Sequence, residues 1–145
     1  MANPRATVDF TEIGSRFVTY KRKTSSTGAI DYLYSPTNPY PSATTTQAGN
    51  SVSMDSDSTV KVGAAGDMLV GKLVSSEADS TCVVQDAGYM QFPYTAGGTA
   101  PTLGRGVVCD GSGGVRIADA GSGYLERGCV VQLDTTNHLA TVLLR

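Results

Sequence analysis

CVVQLDTTNHLATVLLR, residues 129–145, decides how the rest of the chain is read. Leu139, Thr141 and Leu143 alternate with Ala140, Val142 and Leu144. That is the two-residue period of a β-strand, and both alternating sets are apolar or nearly so. A strand of this kind is covered on both faces, so it is expected at the centre of a sheet or beneath a neighbouring subunit. Thr135 to Asn137 should turn it back from a strand that starts at Tyr124, takes a bulge at Gly128 and runs through Leu133.

Working outward, the same short-stranded pattern continues upstream. GVVCDGSGGVRIADA predicts a hairpin from Val107 to Cys109 and back over Val115 to Ala118, with Asp110 to Gly114 as its loop. Thr95 to Gly106 is a long exposed loop in which Gly104 and Gly106 mark a tight approach or a bulge. TCVVQDAGYMQFPY predicts two strands separated by a turn at Asp86 to Gly88, with Pro93 at a sheet edge or at the strand's exit. Val60 and Val62 flank Lys61 as a half-buried strand, GAAGD turns, and Met68 to Val74 forms another strand interrupted at Gly71. No helical crossover separates these strands, which disfavours a parallel α/β fold. The expected class is mainly β, a small antiparallel β-sandwich or partly open β-barrel over residues 59–145.

Residues 1–58 differ in composition. Lys21 to Ser58 contains Pro36, Pro39 and Pro41, dense serine and threonine, and almost no branched aliphatics. Such a stretch buries too little apolar area to offset backbone ordering, so residues 1–58 are expected as a long extended N-terminal arm, ordered mainly on assembly. Val8 to Tyr20 carries its best anchoring residues; RFVTYK reads as extended, and Thr11-Glu12 as a possible short helix start weakened by Gly14 and Ser15. Tyr32, Tyr34 and Tyr40 suit a binding surface, because each offers a large ring with a polar handle at modest entropic cost.

Composition narrows the function classes. The chain has 145 residues, 17% charged, with a formal net charge of -2, and its core must be built from Val, Leu and a few Tyr because Trp is absent and Phe number three. A nucleic-acid binder needs a field of Lys and Arg, and only Lys21-Arg22-Lys23 forms a compact basic run, so direct nucleic-acid contact is not expected. No apolar run is long enough for a membrane-spanning helix. The MANPRATVDF start lacks the apolar centre of a signal peptide, which points to synthesis in a cytoplasm. Cys82, Cys109 and Cys129 each sit in an apolar run and read as reduced, buried small hydrophobes rather than a zinc set.

Chemical motifs are few and incomplete. Gly66 to Lys72 matches G-x-x-x-x-G-K, but Leu73 replaces the metal-binding hydroxyl and Met68-Leu69-Val70 is strand-like where a phosphate loop needs open backbone. Asp55 and Asp57 in MDSDS are spaced like calcium ligands without the glycine and glutamate of such a loop. Asp67, Asp79, Asp86, Asp110, Asp119 and Asp134 fall in apparent turns, where an aspartate caps local N–H groups. His138, the single histidine, follows a turn and reads as solvated or locally bonded. No catalytic, cofactor or metal site is expected, and the chain reads as a non-enzyme.

VKVGAAGDMLVGKLV, then YMQFPY, then TLGRGVVCDGSGGVRIADAGSGYLERGCVVQLD and the final ATVLLR resemble, in that order, the small capsid decoration, or cement, proteins of tailed bacteriophages. The resemblance covers about Thr59 to Arg145 and rests on the order of structural motifs. It implies a β-domain that forms homotrimers on the outer surface of the virion, binds the major capsid protein lattice, often through an N-terminal arm, and stabilises the head. The arm before Val60 is longer here than in simpler members. Residues expected at the protein interface are Arg5, Phe10, Arg16, Phe17, Tyr20, Lys21, Arg22, Lys23, Tyr32, Tyr34 and Tyr40. Two other readings remain open: a phage head-fibre or tail-associated structural protein, and a carbohydrate-binding or hydrolytic β-domain.

Overall fold

The computed structural model describes residues 14–31, 49–77 and 79–145. Among these residues nine strands follow in chain order: β1 Arg16–Arg22, β2 Ser51–Ser56, β3 Thr59–Val62, β4 Gly71–Ser76, β5 Thr81–Pro93, β6 Val108–Cys109, β7 Val115–Arg116, β8 Cys129–Asp134 and β9 Leu139–Leu144. Seven form one sheet in the order β1-β3-β2-β4-β5-β9-β8, and β5 pairs a second time with β1. The short β6–β7 hairpin stands apart as a two-stranded sheet. The fold is mainly β, as the alternation predicts.

Its sheet is mixed rather than purely antiparallel. β1 and β3 run parallel, with Lys21 opposite Thr59 and Arg22 opposite Val60. A parallel neighbour needs a long return path, and the chain between Arg22 and Thr59, which includes β2, supplies one. All other strand pairs are antiparallel.

β5 organises the molecule. Its first half pairs with β1 on one side and β4 on the other, through Thr81 to Ala87 and Cys82 to Gln85. Its second half, Gly88 to Pro93, pairs with β9. The strand therefore runs straight through Asp86-Ala87-Gly88, where the sequence suggested a turn. Gly88 has φ +101, and a Cβ there would lie 3.0 Å from the Ser15 backbone, so glycine passes the segment through a conformation that other residues resist.

Two apolar clusters hang on the two halves of β5. Cys82 and Val84 join Ile30, Val52, Val60 and Leu73 in one, with Tyr20, Val62 and Val70 packed at its margin. Met90 and Phe92 join Leu69, Tyr94, Val107, Cys109, Val115, Val130, Ala140, Val142 and Leu144 in the other. A serine links them: the Ser51 hydroxyl donates to the Gly114 carbonyl at 2.7 Å, fully out of solvent, and its N–H donates to the Gly113 carbonyl at 2.9 Å.

The expected boundary between Ser58 and Thr59 falls inside a hairpin, since β2 and β3 are antiparallel partners on either side of it. β1, β2 and the fully buried Ile30 belong to the same sheet and core as the C-terminal strands. Composition averaged over a long polar stretch hides single apolar residues, Tyr20, Ile30 and Val52, that pack into this core while β1 pairs with β3 and β5 and β2 with β3 and β4.

Smaller differences have local causes. The strand expected from Met68 begins at Gly71, leaving Met68 only an isolated bridge to Val108. Gly71 is fixed by space: a Cβ would stand 2.1 Å from the Gln85 carbonyl oxygen. The strand expected from Tyr124 starts at Cys129, because Gly123–Leu125 forms a 3-10 turn, and its register shift lies between Val130 and Gln132 rather than at Gly128. The Asp110 loop behaves as expected, its Oδ1 accepting the N–H groups of Ser112 at 2.7 Å and Gly114 at 2.9 Å.

Candidate interaction surface

The residues expected at an interface divide sharply in the structure. Arg5, Phe10, Tyr32, Tyr34 and Tyr40 lie outside the described residues. The other six lie on β1 or directly after it, where alternation sends Phe17, Thr19 and Lys21 outward and half-buries Val18, Tyr20 and Arg22.

Most of these side chains are already engaged within the fold. Arg16 grips Asp86 with two bonds, Nε to Oδ1 at 2.8 Å and Nη2 to Oδ2 at 2.7 Å. That bidentate fork, made to a nearly buried carboxylate, raises the guanidinium's pKa further. Asp86 is therefore an ion-pair partner at the middle of β5 rather than a turn cap. Arg22 donates to the carbonyls of Glu77 at 3.0 Å and Ile30 at 2.7 Å, fastening the segment after β1 over the sheet. Lys23 pairs with Asp55 at 2.9 Å. Tyr20 packs on the Ile30 cluster. Phe17, 55% exposed, and Lys21 remain as outward groups on β1.

A second surface is only partly anticipated by the sequence. On β5, β9 and β8 the core-facing residues are Met90, Val142 and Val130; the opposite face presents Tyr89, Leu143 and Cys129 in one cross-strand row. Gln91, Thr141 and Gln132 form the next row, and Pro93, Leu139 and Asp134 the last. Val131, at the bulge, is 43% exposed beside the first row. Two adjoining hollows of about 490 and 280 Å³ share Val131, one reaching Gly128 and Arg145, the other Tyr89 and Thr141. The two-sided apolar pattern of residues 139–144 announced this face for β9; Tyr89 and Val131 join it only through strand register, which no local pattern carries.

A third feature is a cleft of about 620 Å³ between the Thr27 to Ala29 loop, the end of β3 with the turn after it, Lys61 to Ala65, and the Asp110 to Ser112 loop. Its walls are mostly glycine, alanine and backbone. Lys61 beside it is spoken for by Asp67 at 3.1 Å. Burial pushes the Asp67 carboxyl up, but the Ser53 hydroxyl, the Ala64 N–H and Lys61 together hold it below the ordinary range. Lys72 is shifted down by burial alone.

Among the described residues no three His, Cys, Asp or Glu side chains come together to hold a metal ion, and no helix is long and apolar enough to cross a membrane. His138 is exposed with φ +54, its ring edge-on to Tyr94 at 5.6 Å between centroids. Burial raises the thiol of Cys82 to about 11 and that of Cys109 to about 12, which keeps both protonated, whereas Cys129 lies half-buried on the outer face. Compared with known proteins, the chain matches no family model and no curated protein.

Proposed function

We propose that the protein is a structural, non-enzymatic component of a tailed-bacteriophage head, a capsid decoration or cement protein that binds the outer surface of the major capsid protein lattice and self-associates there as a trimer. The observation that carries this reading is β9: its inner face fills the core while its outer face, with Tyr89 and Val131 beside it, is broad, shallow and partly apolar, Leu139 and Leu143 flanking a polar row at Thr141. Extended faces of that shape suit contacts between proteins, where many modest interactions are multiplied by effective concentration in a lattice. The motif order from Val60 to the terminal strand supports the same reading, and the second pairing of β1 with β5 favours the partly open barrel of the two architectures expected.

On β1, Phe17 and Lys21 are the shell-facing candidates, since Arg16, Arg22 and Lys23 are spent on internal partners. Co-sedimentation with purified shells tests this. Phe17→Ala with Lys21→Ala should weaken binding while leaving the melting temperature nearly unchanged; retention of full binding would remove β1 from the contact, and no binding by the unaltered chain would remove the function.

A further inference from the structure

The wall made by β1, β5 and β4 carries a cation that the fold does not pair. Tyr20, Cys82, Val84 and Leu73 turn to the core, so the residues alternating with them form rows on the opposite side. The first row is Phe17, Gln85 and Lys72, the second Thr19, Val83 and Ser75, and the third begins with Lys21 and Thr81. Gln85 is a buried, fixed base for the first row: its amide donates to the carbonyls of Tyr89 at 3.1 Å and Ala87 at 3.3 Å and to the Ser15 hydroxyl at 3.3 Å. Phe17 stands 55% exposed at one end of that row, and Val74, at the β4 bulge before Ser75, is exposed as well. Lys72 is half-buried at the other end, its Cε 3.7 Å from where a Cβ on Gly49 would lie. Beyond it Ser51 closes the row, its hydroxyl given to the Gly114 carbonyl.

Lys72 takes part in none of the ion pairs among the described residues. The carboxylates that flank the face have their own partners. Both Asp86 oxygens are held by Arg16, and Asp79 Oδ1 accepts the Thr81 hydroxyl at 2.6 Å and its N–H at 3.1 Å. A half-buried ammonium has given up part of its water without gaining an anion, and a carboxylate brought by a partner makes good that loss. A nucleic acid needs a track of several cations. Here one ammonium shares its row with an open phenyl ring, which suits a protein segment carrying an acid and an apolar side chain. Phe17 and Lys72 lie two strand spacings apart, roughly 10 Å between Cα positions, so one segment can meet both. We propose that the row Phe17, Gln85 and Lys72 is the docking site for an acidic segment of the major capsid protein, one carboxylate pairing with Lys72 Nζ and an apolar side chain covering Phe17. The inference rests on the shell-binding reading and adds β5 and β4 to the contact made by β1.

Co-sedimentation of the purified full chain with purified shells tests it, with carbodiimide coupling of the bound sample and mass spectrometry of the linked peptides as a second readout. Zero-length coupling joins an amine to a carboxylate in contact with it, so Lys72 should be found linked to an aspartate or glutamate of the major capsid protein. Lys72→Glu should weaken binding roughly tenfold or more with the melting temperature nearly unchanged, and Lys72→Arg, which keeps the charge, should stay within about threefold of the unaltered chain. Met54→Glu, which adds a charge at an exposed position on β2, should bind as the unaltered chain does. Should Lys72→Glu fail to fold, the coupling pattern of the unaltered chain decides. Full binding by Lys72→Glu, an equal loss in Met54→Glu, or coupling that never includes Lys72 overturns this site and leaves the shell-binding reading standing. An unaltered chain that does not sediment with shells removes both.

Discussion

The two apolar clusters on β5 are built from different kinds of sequence. The one holding Phe92, Val130, Val142 and Leu144 comes entirely from residues 69–144, and its strands β9 and β8 form a hairpin. The one holding Ile30, Val52, Val60, Leu73, Cys82 and Val84 draws on three separated stretches, and Ile30 stands just before a long polar segment. The first cluster is visible in local alternation. The second exists only because β1 and β3 meet in parallel and β2 folds against both β3 and β4. The lesson is that a polar, proline-containing stretch can still supply decisive core residues, one at a time.

Removing the early strands should have the largest effect. Residues 59–145 alone lack β1, β2 and Ile30, which uncovers Val60, Leu73, Cys82 and Val84 and leaves the first half of β5 with β4 but without β1 on its other side. That fragment should show no cooperative thermal transition by circular dichroism, whereas a chain starting at Gly14 should melt as one unit. A cooperative transition in the short fragment would make the Phe92 cluster an independent domain.

Single truncations follow in size. Phe92→Ala should cost about 3–5 kcal/mol and Ile30→Ala about 2–5 kcal/mol in urea unfolding, since both side chains are fully buried. If β5 couples the clusters, each variant shifts one common transition. Two separated transitions in either variant would show that the clusters unfold independently.

Gly71→Ala probes the seam between β4 and β5. Its Cβ would meet the Gln85 carbonyl oxygen at 2.1 Å and a Val84 methyl at 2.9 Å, so the two strands must part, at about 1–3 kcal/mol or more. A neutral effect would mean that the sheet opens there without strain.

The smallest effect is expected from pH. Asp67 has its pKa lowered in the folded state, so it contributes stability above the unfolded carboxylate value of about 3.9, and that contribution disappears as pH falls through the folded value. Asp67→Asn should therefore lower the melting temperature slightly at neutral pH and leave it unchanged in strong acid. An equal loss at both pH values would assign the effect to packing around Ser53 and Ala64.

Much of the C-terminal sheet was legible. The Asp110-Gly111 hairpin, the two-sided β9 and the extended RFVTYK segment all follow from period and turn chemistry, because each is decided by residues close in sequence. What escaped was set by distant partners. Asp86 resembled a turn aspartate until Arg16, far away in the chain, supplied a bidentate guanidinium. Gly88 looked like a turn glycine, but β1 and β9 pair with the residues on either side and hold the strand continuous. Of the interface candidates, Phe17 and Lys21 keep outward positions, whereas Arg16, Arg22 and Lys23 turn out to hold the fold. Charge runs do not announce whether their partners are internal.

The proposed role on a virus shell makes a prediction about whole particles. Image reconstruction of the particles that carry the protein tests it most directly. Copies of the β-fold are expected on the outside of the capsid lattice at its local three-fold positions, touching the major capsid protein along β1. Density confined to the tail, or particles whose shells lack the protein altogether, would contradict it.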